Sequence, residues 1–311
     1  MTAQTFTVHP VPSMGAEDVL VAPDGTVFTG TADGAIWALD PATGSTRRVT
    51  DTGGRPLGIE LLPDGDLVVC DAKRGVLRVS PGTGAVDVLV GEVDGEPMRF
   101  CNNAAVAGDG TVWFSDSSLH HGIEAWKDDF VQHTRTGRLL RRDPDGSVEV
   151  VLTGLAFANG VALASDESYV AVAECRGRTV VRLWLTGPRA GERDHLVTDL
   201  PGYPDNISRG SDGLVWVAVA SPVDGLVERL GTAPMALRKA VTRIPEALQP
   251  KPARTIRVQA YDDDGRLVHD LDLPGPERGA GYHKVTGVRE HDGRLWLGSL
   301  HEPAVAVIDR P

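Results

Sequence analysis

The sequence predicts an all-β protein, a six-bladed β-propeller with four antiparallel strands in each blade. Three observations support this fold class. A segment pattern recurs about every forty residues, each copy holds four short runs with alternating apolar residues, and Asp-Gly turns separate the runs. A repeat of this length with four strands is typical of a propeller blade. The 36 glycines among the 311 residues agree with a chain that turns often.

The first repeat shows the four strands in order. A short apolar run at 17–22 leads through the turn Pro23-Asp24-Gly25 into the alternating segment 26–30, and segments 35–40 and 45–50 follow after further turns. The strand-bearing segments of the later repeats are 61–71, 75–84 and 85–90; 109–116, 137–146 and 147–152; 165–174 and 179–185; 211–220 and 257–265; and 291–300 and 304–309.

The sixth repeat contains three strands, so its fourth strand must come from elsewhere in the chain. The extended segment 5–11 is expected to supply it and to close the ring, which would protect the terminal sheet edges. Because a propeller ring cannot be divided without opening it, we expect residues 1–311 to form a single domain.

Two connections between second and third strands are much longer than the others. They cover residues 117–136 and about 221–254, and the second has the apolar spacing of a helix at 227–247. Both should lie on the face of the ring where the innermost strands begin. Since long insertions in a compact domain are often lids or binding loops, we expect two lid-like segments over a pocket.

One position recurs seven residues before each turn that follows an innermost strand. The six residues at this offset are Glu17, Leu57, Asn102, Asn159, Asp205 and Val285. If the repeats are blades, these positions are equivalent, and four of them bring side-chain oxygens to the mouth of the central channel. Two carboxylates and two amides predict a site for a hard cation, most plausibly Ca²⁺, although Mg²⁺ and Mn²⁺ also accept oxygen ligands.

Asn and Asp also cap turns by bonding local backbone. That explanation accounts for single residues, but not for four oxygens at one offset.

A cation of this kind still needs a general base beside it. Asp205 is the first candidate for that base or for a nucleophile, and a role purely as a ligand is equally open. His120 and His121 lie on the first long insertion, and His283 precedes the sixth-blade entry. A histidine titrates near neutrality, so each is a candidate proton shuttle, although each also fits a solvated loop residue.

Composition limits the partners and the compartment. The net charge of −12 and the aromatic fraction of 5% argue against a nucleic-acid-binding surface. The sequence shows neither an apolar run that would span a bilayer nor a signal peptide at its start. The three cysteines lack metal-ligand spacing and do not suggest a disulfide framework. We therefore expect a cytoplasmic protein with a small-molecule substrate, and the oligomeric state is not readable.

Several motifs resemble those of the strictosidine synthase-like propellers, and the resemblance covers nearly the whole chain. The motifs are FCNNAAVAGDGTVWFSDSS at 100–118, GLAFANGVALASDESYVAVAE at 154–174, PGYPDNI at 201–207 and EHDGRLWLGSL at 290–300. This group is related to the paraoxonases and to the gluconolactonase and regucalcin group. The resemblance implies a six-bladed propeller with a divalent cation, usually Ca²⁺, and in several members hydrolysis of lactones, esters or organophosphates. The ligands it implies are Glu17, Asn102, Asn159, Asp205 and Asn206.

Three departures from the family pattern narrow the activity. Leu57 stands where paraoxonase-like enzymes place a histidine, and Asn103 replaces an aspartate that serves a second ion. The stretch HKVTG at 283–287 lacks the carboxylate that plant strictosidine synthases use for condensation. The sequence therefore favours a Ca²⁺-dependent lactone or ester hydrolase. A condensing or isomerising enzyme of secondary metabolism and a non-catalytic, metal-stabilised binding propeller are the alternatives.

Overall fold

The computed structural model describes residues 6–244, 255–274 and 282–311. Its strands form six four-stranded antiparallel sheets, and these are the blades of a six-bladed β-propeller, as predicted. The strands are β1 (Phe6–Pro10); β2 (Leu20–Val21), β3 (Val27–Gly30), β4 (Ala35–Asp40) and β5 (Ser45–Asp51) in the first blade; β6 (Pro56–Leu61), β7 (Leu67–Asp71), β8 (Gly75–Val79) and β9 (Val86–Val90) in the second; the small hairpin β10 (Glu92–Val93) and β11 (Glu96–Pro97); β12 (Cys101–Val106), β13 (Val112–Asp116), β14 (Gly137–Arg142) and β15 (Val148–Leu155) in the third; β16 (Ala158–Leu163), β17 (Tyr169–Glu174), β18 (Thr179–Trp184) and β19 (Arg193–Val197) in the fourth; β20 (Gly202–Arg209), β21 (Val215–Pro222), β22 (Thr255–Tyr261) and β23 (Leu267–Pro274) in the fifth; and β24 (Val285–His291), β25 (Arg294–Ser299) and β26 (Ala304–Asp309) in the sixth.

The sixth blade combines strands from the two ends of the described chain. Its strand order is β1-β26-β25-β24, and Phe6 lies opposite Ile308 in an antiparallel pair. The outermost strand of this blade therefore comes from the N-terminal segment. Residue 5, which the sequence assigned to the same strand, lies outside the described residues.

The core lies between the blades and explains why the second strands read as continuous apolar runs. Every residue of β7, β13 and β17 is buried, because both faces of each blade pack against a neighbouring sheet. In one cluster, Ala171 and Ala173 of the fourth blade pack with Val215 and Val217 of the fifth. An outer strand such as β5 has exposed polar positions instead, since one of its edges faces solvent.

Both long insertions contain short helices. The first holds a 3₁₀ turn at Ile123–Ala125 and helix α1 (Trp126–Gln132), and the second holds α2 (Gly225–Gly231) and α3 (Met235–Val241). The single helix predicted at 227–247 is therefore wrong in its described part. Pro234 precedes α3, and a proline cannot continue a helix because it lacks a backbone N–H and constrains the residue before it. Residues 245–247 lie outside the described residues.

Candidate active site at the channel mouth

A cavity of about 800 Å³ lies where the innermost strands begin, and both long insertions contribute to its wall. Its volume is in the range of ordinary ligand sites. Its polar floor includes Glu17, Asn102, Asn159, Asp205 and Lys284. The structure thus brings the four oxygen-bearing residues of the repeated offset into one cavity, under the two insertions predicted to lie above it.

The structure contradicts the prediction that Val285 is the sixth of the equivalent residues. Val285 is fully buried in a core cluster, and the strand register makes Thr286 the equivalent of Asn102. The cause is a shorter hairpin: two residues separate the paired ends of β24 and β25, whereas five separate those of β12 and β13. Thr286 Oγ1 donates to the Glu17 carbonyl oxygen at 2.9 Å, so it braces the first-blade strand.

A second ring of residues lies one position further along each innermost strand. In blade order, these residues are Asp18, Gly58, Asn103, Gly160, Asn206 and Gly287. Polar residues and glycines alternate because each glycine makes room for the next blade. A Cβ at Gly160 would lie 2.1 Å from the Ile207 nitrogen and 2.6 Å from the Asn206 Cα. This packing draws the strand entrances together and sets the width of the floor.

Four buried oxygens on and below the floor lack a hydrogen-bond partner among the described residues. They are Glu17 Oε2, Asn102 Oδ1, Asn159 Oδ1 and Asn206 Oδ1. The amide nitrogens of the three asparagines are all used. Asn159 Nδ2 donates to Asp205 Oδ1 at 2.6 Å, Asn206 Nδ2 to Glu17 Oε1 at 3.2 Å, and Asn102 Nδ2 to Ser117 Oγ at 2.9 Å.

These contacts fix which atom of each amide faces away from its partner. An unpaired buried acceptor costs about 1–3 kcal/mol, so four acceptors close together can be satisfied by a bound group that donates hydrogen bonds or carries positive charge.

The carboxylates of the floor are held in an unfavourable environment when no cation is bound. Burial raises the pKa of Glu17 well above its usual value, and the nearby Asp205 and Asp18 raise it further. Burial also raises the pKa of Asp205 to about 7, against the opposing hydrogen bond from Asn159. Both shifts show that negative charge here needs compensation.

In the described part of the chain, no three His, Cys, Asp or Glu side chains cluster as metal ligands. Two of the four oxygen-bearing side chains on the floor, Asn102 and Asn159, are amides, and the other two, Glu17 and Asp205, are carboxylates.

Aromatic side chains form much of the cavity wall and attach the first insertion to the blades. The Phe130 ring of α1 meets Tyr203 at 4.8 Å and Phe157 at 5.9 Å between centroids, both edge to face. Tyr203 also donates its hydroxyl to Glu228 of α2 at 2.9 Å. These contacts place an apolar, partly aromatic surface above the polar floor.

The structure does not bring the predicted histidines to the cavity wall. His120 is exposed and His121 is partly buried on the first insertion, and neither lines the cavity. The His283 ring contacts the Glu302 carboxylate and packs edge to face on His301, also outside the cavity lining. The residue after it, Lys284, lines the floor instead, and the sequence analysis missed it.

Asp116, at the end of β13, is structural. It is fully buried, accepts from Arg138 Nη2 at 2.6 Å and from the Phe100 backbone N–H at 3.1 Å, and so fixes the start of the third-blade strand. The three cysteines are unpaired and buried, and Cys175 lies on the cavity wall.

Fold and floor together define a six-bladed propeller with an oxygen-lined cavity at the mouth of its channel. The sequence profile described as "SMP-30/Gluconolactonase/LRE-like region" matches residues 28–233, and a profile for the strictosidine synthase-like N-terminal region matches residues 10–39. The chain belongs to the SMP-30/gluconolactonase/LRE-like family, in its strictosidine synthase-like group.

Related proteins match over most of their length. Strictosidine synthase-like protein 10 of Arabidopsis thaliana is 32% identical over 95% of this chain and 85% of its own. The adipocyte plasma membrane-associated protein of Rattus norvegicus is 32% identical over 94% of this chain and 82% of its own.

Solved structures share the fold at low identity. A gluconolactonase from Xanthomonas campestris superposes with a TM-score of 0.71 at 17% identity, and covers 100% of this chain and 91% of its own. A calcium-binding regucalcin from Agrobacterium tumefaciens gives 0.67 at 14% identity, with 97% and 92% covered. Among the described residues, no helix combines the length and apolar character needed to cross a membrane.

Proposed function

We propose that this protein is a Ca²⁺-dependent hydrolase of a lactone or ester that binds at the channel mouth. The observation that carries the proposal is the group of four unpaired buried oxygens on and below the floor of a large, mainly apolar cavity. The names of two structural neighbours, a gluconolactonase and a calcium-binding regucalcin, support both parts of it.

The residues present fit a hard divalent cation. Glu17, Asn102, Asn159, Asp205 and Asn206 would hold it, through carboxylate and amide oxygens of the kind that Ca²⁺ prefers. Mg²⁺ and Mn²⁺ suit the same donor atoms and remain alternatives. A bound cation of this type supplies a positive charge that polarises a carbonyl group and stabilises negative charge on its oxygen.

We assign proton transfer or nucleophilic attack to Asp205, and a role purely as a cation ligand is the alternative. Its carboxylate lies at the cavity floor, where a general base could reach a bound substrate or water. In the cation-free protein burial raises its pKa to about 7, and a bound cation would lower it and favour the carboxylate. The 2.6 Å bond from Asn159 Nδ2 holds one carboxylate oxygen in place. The other oxygen is left to act on the substrate or on water.

The wall determines which substrates fit. Phe100, Trp126, Phe130 and Phe157 line the cavity together with aliphatic residues of the second insertion. Burying apolar substrate surface against them contributes about 25 cal/mol per Å². We therefore propose a substrate whose reacting carbonyl carries an aromatic or aliphatic group.

The first experiment measures hydrolysis of a panel of lactones and aryl esters by the purified protein, by the protein after chelation, and after Ca²⁺ is restored. Turnover that disappears with the chelator and returns with Ca²⁺ supports the proposal. Turnover that persists in the chelator contradicts the metal dependence. An absence of turnover on the whole panel, with a melting temperature that falls on chelation, leaves the cation with a structural role.

A substitution pair tests the role of Asp205. Asp205→Asn should reduce kcat by about 10²–10⁴ if Asp205 is the general base, because such residues contribute factors of this size. Asp87→Asn, on an exposed outer strand, is the matched control and should leave kcat unchanged. Full activity of Asp205→Asn would exclude it as base or nucleophile. Calorimetric titration with Ca²⁺ then shows whether the variant has also lost cation affinity.

One observation favours a second function. The match to the strictosidine synthase-like relative covers 95% of this chain. A condensing or isomerising activity of that class is the alternative, and turnover of an amine together with an aldehyde would identify it. A non-catalytic binding role is the outcome if neither assay shows turnover. A small-molecule ligand, no nucleic acid or membrane partner, and a cytoplasmic location stay predictions from the sequence.

A further inference from the structure

Lys284 is a buried amine on the cavity floor that the proposed hydrolysis does not use. It precedes β24, lines the cavity, and has only 7% of its surface exposed. Its Nζ lies 5.6 Å from the centroid of the Trp126 ring of α1, within the distance of a cation–π contact. A lysine buried to this extent at the wall of a ligand-sized cavity is unusual.

The backbone at Lys284 is strained. Its φ of 53° lies in the left-handed region, where a residue with a Cβ costs about 1–3 kcal/mol. Such strain persists only where the surrounding structure enforces it, and it concentrates at functional sites. Here it turns the lysine towards the cavity while its neighbour Val285 enters the core. The geometry thus holds the amine in place independently of any substrate.

We propose that Lys284 is a nucleophile that captures apolar aldehydes as a reversible imine. The Nζ lone pair adds to the aldehyde carbon, the π electrons of the carbonyl move to oxygen, and proton transfer gives a carbinolamine. Loss of its hydroxyl group with one proton releases water and forms the C=N bond. The balance is amine plus aldehyde to imine plus water, so no oxidant or reductant is required. This inference does not depend on the hydrolase proposal.

The surroundings favour this chemistry over a fixed ion pair. Burial lowers the pKa of Lys284 and so increases the neutral, nucleophilic fraction, and Lys127 on the insertion acts in the same direction. Asp205 and Cys175 oppose the shift without cancelling it. Desolvation of a lysine in an apolar pocket is a general way to activate it for imine formation. The aromatic wall selects aldehydes with an apolar body.

Reductive trapping tests the proposal on the intact protein. The protein is incubated with benzaldehyde and cyanoborohydride near pH 7, and the modified lysine is identified by peptide mass spectrometry. The chain has five lysines, so the sites are easily separated. Lys284 should be labelled at least about tenfold faster than Lys73, which lies exposed on the second blade, because burial activates the amine. Acetaldehyde should show a smaller preference for Lys284.

Two variants complete the experiment. Lys284→Arg keeps the positive charge but should lose the fast label, whereas Lys239→Arg, exposed on α3 and outside the cavity lining, should keep it. If Lys284 in the wild-type protein reacts no faster than Lys73, the proposal is wrong. It is also wrong if Lys284→Arg retains a fast label of the same stoichiometry.

If Lys284→Arg does not fold, the labelling rates of Lys284 and Lys73 in the wild-type protein test the proposal alone. Trapping and Ca²⁺-dependent hydrolysis are both measured on the wild-type protein with separate readouts, so either proposal can fail while the other stands.

Discussion

Raising the pH from 5 to 8 should destabilise the cation-free protein, and Asp205 should cause a large part of the loss. Burial raises the pKa of its carboxyl group from 3.8 to about 7. Between these values the folded state holds a proton that the unfolded state has released. The free energy of unfolding therefore falls as the pH rises through this window, and the stabilisation by the protonated form is fully present only below about pH 4.

The magnitude follows from the size of the shift. A change of about three pKa units corresponds to about 4 kcal/mol in all, of which about 2.5 kcal/mol is lost between pH 5 and 8. For a chain of 311 residues, about 1.5–2 °C of melting temperature per kcal/mol gives a fall of about 5 °C. Glu17 and Asp18 have raised pKa values as well, so they add to the fall with the same sign.

The assay is thermal or urea unfolding at pH 5, 6, 7 and 8, in a chelator and in excess Ca²⁺. Asp205→Asn carries no titrating group at this position, so its stability should depend less on pH than that of the wild type. Asp87→Asn should follow the wild type. Excess Ca²⁺ should remove most of the fall, because a ligand at 100 times its Kd stabilises by about 2.7 kcal/mol.

Two results would refute the reasoning. Stability in the chelator that is constant or rises from pH 5 to 8 would mean that the floor carboxylates are not strained in the absence of a cation. A pH dependence of Asp205→Asn equal to that of the wild type would assign the effect to other groups.

Three further predictions concern the packing around the site. Gly160→Ala should destabilise by about 3 kcal/mol or more, since its Cβ would overlap the next strand, whereas Gly82→Ala has open space and should be nearly neutral in thermal unfolding. Arg138→Met should cost about 3–5 kcal/mol in the same measurement, because it leaves Asp116 buried and unpaired; a change below 1 kcal/mol would contradict this. Phe130→Ala should raise amide exchange in α1 about a hundredfold, as about 3 kcal/mol of packing is lost; unchanged exchange would show that other contacts hold the insertion.

The architecture could be predicted from the sequence because strand, turn and strand recur at nearly fixed spacing. The same spacing located the floor, since five of the six innermost strands have the same number of residues between the strand entrance and the Asp of the following turn, and so place equivalent residues at equal offsets. The prediction that Val285 occupies the sixth equivalent position was wrong, because the β24–β25 hairpin is shorter and places Thr286 there. The offset was counted along the sequence, but the pairing of the strands determines which residue reaches the floor of the cavity.

The second ring of residues and the buried amine of Lys284 could not be predicted from the spacing of the repeats. Alternation of Asp18, Asn103 and Asn206 with glycines becomes meaningful only when the blades are known to interlock. Lys284 was missed because nothing local to HKVTG indicates a left-handed residue or burial. His283 seemed the better candidate by chemistry, but the backbone turns it away and turns Lys284 inwards.

The charges on the floor connect the two proposals. Glu17 and Asp205 contribute two carboxylates and Lys284 one amine, all within a cavity whose wall is largely apolar. With a divalent cation bound, the two carboxylates of the floor are neutralised, so a protonated Lys284 would add positive charge next to the cation, whereas a neutral amine would not. Since burial penalises uncompensated charge, cation binding should favour the neutral amine. Running the trapping experiment in chelator and in Ca²⁺ tests whether cation binding changes the protonation of Lys284. Faster labelling of Lys284 with Ca²⁺ means that the cation favours the neutral amine. Equal rates mean that the cation and the amine do not influence each other.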